Sequence, residues 1–255
     1  MKVYNKLVRD NIPSIIASDG EKPIVRVLDD KEYKQSLLNK LLEEYEEVKK
    51  AEAEVEAEKP AEEELPPPEK LEDLLAELDT YIGLDVIKEE VRSLINMVQI
   101  YKLRREHDLP TTDMSLHMVF SGNPGTGKTM MARMMARIYK SLGILSKGQL
   151  VEVDRSGLVA GYVGQTALKT SKVIQKAMGG VLFIDEAYAL NGGSENDFGQ
   201  EAMDTILKAM EDHRDDLVVI VAGYDDLMND FIHSNPGLES RFNRFMHFED
   251  YTLDE

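Results

Sequence analysis

Residues 122–129 read Gly-Asn-Pro-Gly-Thr-Gly-Lys-Thr, and further along Val181-Leu182-Phe183-Ile184 runs straight into Asp185-Glu186. The first stretch fits G-x-x-x-x-G-K-[ST], a loop whose main chain cradles phosphates. Gly122, Gly125 and Gly127 let the backbone turn with its N–H groups inward, and the positive end of the following helix adds to the attraction for anions. Lys128 can reach the β- and γ-phosphates, and the Thr129 hydroxyl is a hard oxygen ligand suited to Mg²⁺. Asn123, Pro124, Gly125, Thr126, Gly127, Lys128 and Thr129 are therefore the candidate nucleotide contacts. The plainer alternative is a glycine-rich structural turn. Asp185, at the end of an apolar run, can hold the metal, and Glu186 can polarise an attacking water. Buried carboxylates are costly unless paired or beside a metal, which favours a site over a solvated turn. Together the two stretches point to a nucleoside triphosphate and magnesium.

These residues need a scaffold that brings them together. The loop follows His117 to Phe120 and precedes the helix-like Met130 to Ala136, which is the strand, loop and helix context the motif requires. Strand candidates lie at 117–121, 149–153, 180–185, 216–222 and 245–249, with helix-like stretches between them. The four apolar residues before Asp185 do not alternate, as suits a strand buried on both faces. Strands alternating with helices predict an α/β domain with a parallel, doubly wound sheet. Ligands of such sheets sit beyond the carboxyl ends of the strands, where the glycine loop and Asp185-Glu186 both fall.

Composition divides the chain into three. Residues 1–51 contain an amphipathic helix with Leu37, Leu38, Leu41, Leu42, Tyr45 and Val48 on one side. Residues 52–71 alternate Ala and Glu and then carry Pro66-Pro67-Pro68, an acidic linker that ends stiffly. Residues 72–255 hold the α/β pattern, led by two helices marked by Leu74, Leu75, Leu78 and by Val86, Val91, Leu94, Ile95, Val98, Leu103 around Tyr81 to Leu84.

Bulk properties narrow the function classes. The chain has 255 residues, 42% of them hydrophobic, enough for a sizeable core. Its net charge is −18, and residues 43–79 carry sixteen Asp and Glu against four Lys. That segment repels nucleic-acid phosphate, so nucleic acid is not an expected partner. There is no cysteine, which removes disulfides and thiol chemistry together. No apolar run suits a membrane span and the opening Met1 to Lys6 shows no signal-peptide pattern, so no membrane partner is expected and a cytoplasmic setting is the default.

Gly122 to Thr129, Asp185-Glu186 and the segment Gly157 to Thr166, which contains Tyr162-Val163-Gly164-Gln165-Thr166, resemble the CbxX/CfqX branch of the AAA+ ATPases. That branch includes the red-type Rubisco activases and the stage V sporulation protein K group. The likeness runs from about Leu78 to the C-terminus. It implies a P-loop NTPase with a five-stranded parallel sheet flanked by helices, preceded here by a small α-helical N-terminal region. It further implies ATP hydrolysis with Mg²⁺, a homo-oligomeric, usually hexameric ring, and a protein client that is pulled or remodelled. Position by position, Ile82 and Gly83 would flank the adenine, Lys128 and Thr129 would bind phosphates and metal, and Asp185 and Glu186 would serve metal and water. Tyr162 would be the aromatic pore-loop residue that grips the client, with a turn anchor as the alternative. Arg241 and Arg244 match arginine-finger positions that reach a neighbour's nucleotide; an ordinary surface arginine pair is the alternative. Tyr224 stands where many relatives use Asn as a sensor. Glu239 replaces an expected basic residue. The sequence stops at Glu255, where the resemblance leads one to expect a small helical lid, so weak turnover and a nucleotide-sensing interaction protein form a rival expectation.

The opening resembles a different family. Tyr4 to Pro13, followed by Leu41 to Glu47, is similar to the start of MazG-like, phosphoribosyl-ATP pyrophosphohydrolase-like proteins. In that family E-E-x-x-E on one helix and E-x-x-D on the next collect magnesium. Glu43, Glu44 and Glu47 share a helical arc, which makes metal binding geometrically possible. Lys70, however, occupies the Glu position before Asp73. A nucleoside triphosphate pyrophosphohydrolase is one reading, and a docking or oligomerising remnant is the other.

Overall fold

The computed structural model describes residues 29, 32, 34, 35, 37, 38, 67–111, 114–161, 164–192 and 198–252. The chain divides into two compact units, 1–65 and 66–255. In the first, residues 32, 34, 35, 37 and 38 are helical, and the Asp29 carboxylate accepts a hydrogen bond from the Glu32 N–H at 2.8 Å, as a capping residue does. Leu37 and Leu38 of the predicted apolar stripe are among them; Leu41, Leu42, Tyr45, Val48 and the carboxylates Glu43, Glu44 and Glu47 lie outside the described residues.

The second unit opens with two helices. In α1, Leu71–Thr80, Leu74 and Leu78 recur at a four-residue spacing and are fully buried. In α2, Asp85–Glu106, Ile87, Val91, Leu94, Ile95 and Val98 form the buried stripe. Then come β1 (Met118–Gly122), α3 (Lys128–Ser141), β2 (Leu150–Val153), α4 (Arg155–Leu158), α5 (Thr166–Ala177) and β3 (Val181–Ile184). A 3-10 turn at Ala187–Leu190, α6 (Gly199–Asp212), β4 (Val218–Gly223), α7 (Asp225–His233), α8 (Pro236–Arg241) and β5 (Phe245–Phe248) complete the order.

All five strands are parallel, in the order β2-β3-β4-β1-β5. Each lies within about two residues of its predicted position, an error typical of element boundaries. Alternate strand residues face opposite layers, as a pleated backbone demands. Val181 and Phe183 join Met118, Phe120 and Ile220 in a core against α1, α2 and α3. Leu182 and Ile184 join Val119, Val219 and Val221 in a second core against α5, α6 and α7. A sheet covered on both faces has continuous apolar strands at its centre, and β3 and β4 are buried at every residue. Edge strand β5 alternates instead, with Met246 and Phe248 buried and Phe245 and His247 exposed.

The order also explains the cleft. The connection from β1 passes over one face through α3, whereas those from β3 and β4 pass over the other through α6 and α7, so the loops leaving the neighbouring strands β1 and β4 part in opposite directions and open a crevice. Among the described residues, no helix is long and apolar enough to cross a membrane.

Candidate functional site

Beyond the carboxyl ends of β1, β3 and β4 lies a cavity of about 370 Å³. The glycine loop forms one wall through Gly122, Pro124, Gly125 and Gly127, with Lys128, Thr129 and Met130 from the start of α3. Asp185 and Glu186 form the opposite wall, and Gly223 with Tyr224 closes the side. Residues far apart in sequence thus converge on one volume of a size suited to a small-molecule ligand.

The loop's geometry depends on its glycines. Gly122 has φ +140°, and a Cβ there would lie 2.3 Å from the Phe248 carbonyl oxygen, so only glycine permits the approach of β5. Gly127, with φ +93°, is the N-cap of α3 and gives no side chain to cap it. By contrast the Asp154 side chain caps α4 and the Asn235 side chain caps α8. The first turn of α3 contains no acidic residue, so its N–H groups and partial positive charge face the cavity without a competing side-chain anion.

Lys128 sits within this positive corner. Its ammonium donates to the Gly122 and Asn123 carbonyls at 2.8 and 2.6 Å. Burial pulls its pKa below the ordinary lysine value, opposed by the charges of Asp185, Asp225 and Asp250. The loop is braced from behind, where the Asn123 amide donates to both Asp250 carboxylate oxygens at 3.0 and 2.8 Å and the Thr126 hydroxyl donates to the Asn123 carbonyl at 2.8 Å.

Across the cavity, Glu186 adopts a left-handed conformation, φ +48° and ψ +44°, which costs a non-glycine residue on the order of 1 kcal/mol or more. Such strain persists where the surroundings impose it. Its N–H donates to the Asp185 carboxylate at 3.0 Å, which sets the two acids in different orientations. Tyr188 packs 6.1 Å from Tyr224, ring to ring; burial raises the Tyr188 pKa, and the charge and hydrogen bond of Glu186 add to the rise.

Thr129 and Asp185 are the oxygen donors that fit a magnesium ion here. Among the described residues no group of three or more His, Cys, Asp or Glu could hold a metal alone. Magnesium is normally bound through one or two protein oxygens plus substrate phosphates, so this sparse donor set suits it.

Not every candidate lies in the cavity. Ile82 is exposed and, with Gly83, is absent from the lining. The next residue, Leu84, comes closer: a Cβ on Gly127 would stand 3.5 Å from Leu84 Cδ1 and 3.6 Å from the Tyr251 hydroxyl. Arg241 and Arg244 sit at the opposite end of the sheet. Arg241 pairs with Glu211 at 2.5 Å, and Arg244 donates to the Ser115 carbonyl at 3.3 Å, just ahead of β1. The length of β1 and β5, roughly 13 Å at the usual strand rise, separates them from the cavity of their own chain. Tyr162 lies outside the described residues. Asp225, Asp250 and Tyr251 carry no local motif; only their place at the carboxyl end of the sheet brings them to the site.

The family described as "ATPase family associated with various cellular activities (AAA)" matches residues 118–250. The chromosomal protein CbxX of Cupriavidus necator is 50% identical over 185 residues, 72% of this chain and 58% of that protein. Stage V sporulation protein K of Bacillus subtilis is 42% identical over 185 residues, again 72% of this chain and 58% of the relative. A chloroplastic ribulose bisphosphate carboxylase/oxygenase activase of Cyanidioschyzon merolae is 48% identical over 188 residues, 73% of this chain and 63% of that protein. The matched stretch thus spans less than two thirds of each of these relatives.

Proposed function

Because this chain belongs to the AAA family of ATPases, we propose that its second unit binds ATP with Mg²⁺ and hydrolyses it to remodel a protein client. One observation carries the reading: a helix N-terminus without a side-chain cap, with Lys128 at its first turn, faces the acidic pair Asp185-Glu186 across one cavity. The main-chain N–H groups and Lys128 hold the β- and γ-phosphates. Thr129 and Asp185 would hold magnesium, which would supply neutralisation of the phosphate charge. Glu186 orients the attacking water and accepts its proton, and the strained backbone fixes where that carboxylate points.

Arg241 and Arg244 enter only in an assembly. At the far end of their own sheet they serve no chemistry in their own cavity, so a finger role requires a second copy, for which a hexameric ring is the proposed arrangement. Tyr162 is proposed as the client-gripping aromatic and Ile82-Gly83 as the adenine flank. A cytoplasmic location, a client that is protein rather than nucleic acid, and a MazG-like origin for the first fifty residues complete the proposal.

The test is the product formed from MgATP by the full chain, with particle size followed in parallel. Orthophosphate release together with ATP-dependent assembly is expected. Binding without phosphate release, on a particle that stays a monomer, would instead favour a nucleotide-sensing interaction protein. Pyrophosphate release, abolished by Glu44→Ala, would move the activity to the N-terminal unit.

A further inference from the structure

Ser121, Asp225 and His247 meet beside the phosphate loop, and neither the motif nor the proposed chemistry uses them. Ser121 pairs in register with Gly223 of β4 on one side and with His247 of β5 on the other. Asp225 begins α7, directly after the cavity-lining Tyr224. The His247 Nδ1 stands 2.7 Å from an Asp225 carboxylate oxygen and 3.4 Å from the Ser121 hydroxyl. The helix end accounts for an acidic residue in the first turn of α7, where Asp226 also stands, but not for the convergence of a serine and a histidine on one of the two.

The charges around this bridge are unbalanced. Lys128 faces Asp185, Asp225 and Asp250, with Glu186 on the opposite wall of the cavity. A bare carboxylate at position 225 adds to this negative field and repels the terminal phosphate of a bound nucleotide. Burial raises the Asp225 carboxyl, and the Ser121 and His247 hydrogen bonds with the charges of His247 and Lys128 outweigh it, leaving it below its ordinary value. Asp225 therefore stays ionised, and the imidazole decides how much of its charge is felt. With Nδ1 facing the carboxylate, the ring donates there whether neutral or protonated. Protonation at Nε2 changes the charge of the bridge without breaking it.

Resting on the nucleotide-binding reading above, we propose that Asp225 and His247 form a charge-compensating pair that sets how strongly the site favours a triphosphate over a diphosphate. Histidine is the side chain whose charge changes nearest to neutral pH. With the ring protonated, imidazolium cancels Asp225 and the γ-phosphate is held well. With the ring neutral, Asp225 acts alone, and the preference for the triphosphate falls.

The experiment measures Kd for MgATP and for MgADP with the full chain at pH 6 and pH 8. In the unmodified chain the ratio favouring MgATP should fall about fivefold from pH 6 to pH 8, the scale of one charge acting through a partly solvated site. The nucleotide's own titration is common to every variant and cancels between them. Asp225→Asn should hold the high ratio at both pH values. His247→Gln, which keeps a donor, should show the low ratio at both. A pH dependence in His247→Gln equal to that of the unmodified chain, or a ratio in Asp225→Asn at pH 8 no higher than the unmodified one, overturns the pair. If the unmodified chain binds neither nucleotide, the nucleotide-site reading itself falls, a different result from binding that lacks this pH pattern.

Discussion

The two ends of the central sheet are built from similar residues for opposite purposes. At the amino ends, polar side chains bond to main chain within the fold. The Ser146 N–H and hydroxyl both donate to the Asp216 carboxylate at 2.9 Å, and the Gln149 amide donates to the Lys176 and Met178 carbonyls at 3.1 and 2.9 Å. His117 Nδ1 accepts from the Val219 N–H at 3.0 Å, extending the β1–β4 ladder with an imidazole. At the carboxyl ends, α3 starts without a side-chain cap, Glu186 is held in a left-handed conformation and a cavity remains between facing walls. One end spends its polar groups on closing the fold; the other keeps them for a ligand.

Under this division, substitutions at the carboxyl end should damage chemistry with stability nearly intact, and those at the amino end the reverse. The largest effect is expected from Glu186→Gln, which should lower phosphate release about 10²- to 10⁴-fold with MgATP affinity retained. Turnover equal to the unmodified chain would remove Glu186 from the reaction. Lys128→Ala should weaken nucleotide binding by roughly a hundredfold, the scale of two charge-assisted hydrogen bonds, as read by calorimetry. Its unfolding midpoint should change little.

At the amino end the expected signal is acid sensitivity. Burial pushes the His117 imidazole down to about 4, with the Met210 main-chain bond opposing and the Arg241 charge adding to it. The unfolded chain takes up that proton near the ordinary histidine value, so between the two it binds more protons and stability falls as pH falls. The contribution, about 3 kcal/mol, is complete above about pH 6.5 and is lost progressively toward pH 4. Denaturant titrations across that window should show the loss in the unmodified chain and a shallower one in His117→Gln. The smallest effect concerns a flank remote from the cavity. Arg137 on α3 bonds Glu69 and Glu77 at 2.5 to 2.7 Å, and those hydrogen bonds lower both carboxyl pKa values against the opposing pull of burial. The group is partly exposed, so Arg137→Met should cost only about 1 kcal/mol and leave nucleotide affinity unchanged.

Much of the fold could be read in advance, because its signals are local. β3 and β4 are short unbroken apolar runs bounded by glycine or turn residues, and the burial of both faces follows from the absence of alternation. The loop from Gly122 to Thr129 could also be read, since each residue does its work within eight positions of the others. The site's side wall could not. Tyr224 stood out only through a family comparison, and nothing local marks Asp225, Asp250 or Tyr251. The Asn123–Asp250 and Ser121–His247 contacts each span more than a hundred residues of chain. Nor does anything local show that Leu84 approaches Gly127, which follows from Gly83 and Leu84 both being left-handed and turning the chain at that point.

What the sequence determined by itself was the chemistry: a glycine loop with one lysine and one threonine, an acidic pair after a buried strand, and strands that must lie parallel between two layers of helices. What the tertiary structure decided was adjacency. The strand order β2-β3-β4-β1-β5 sets β4 and β5 on either side of the strand that feeds the phosphate loop, and it sends Arg241 and Arg244 to the other end. The reason is physical: hydrophobic alternation and turn residues act over a few positions, whereas the choice of neighbour in a sheet is a long-range pairing that depends on which crossover buries the most apolar surface.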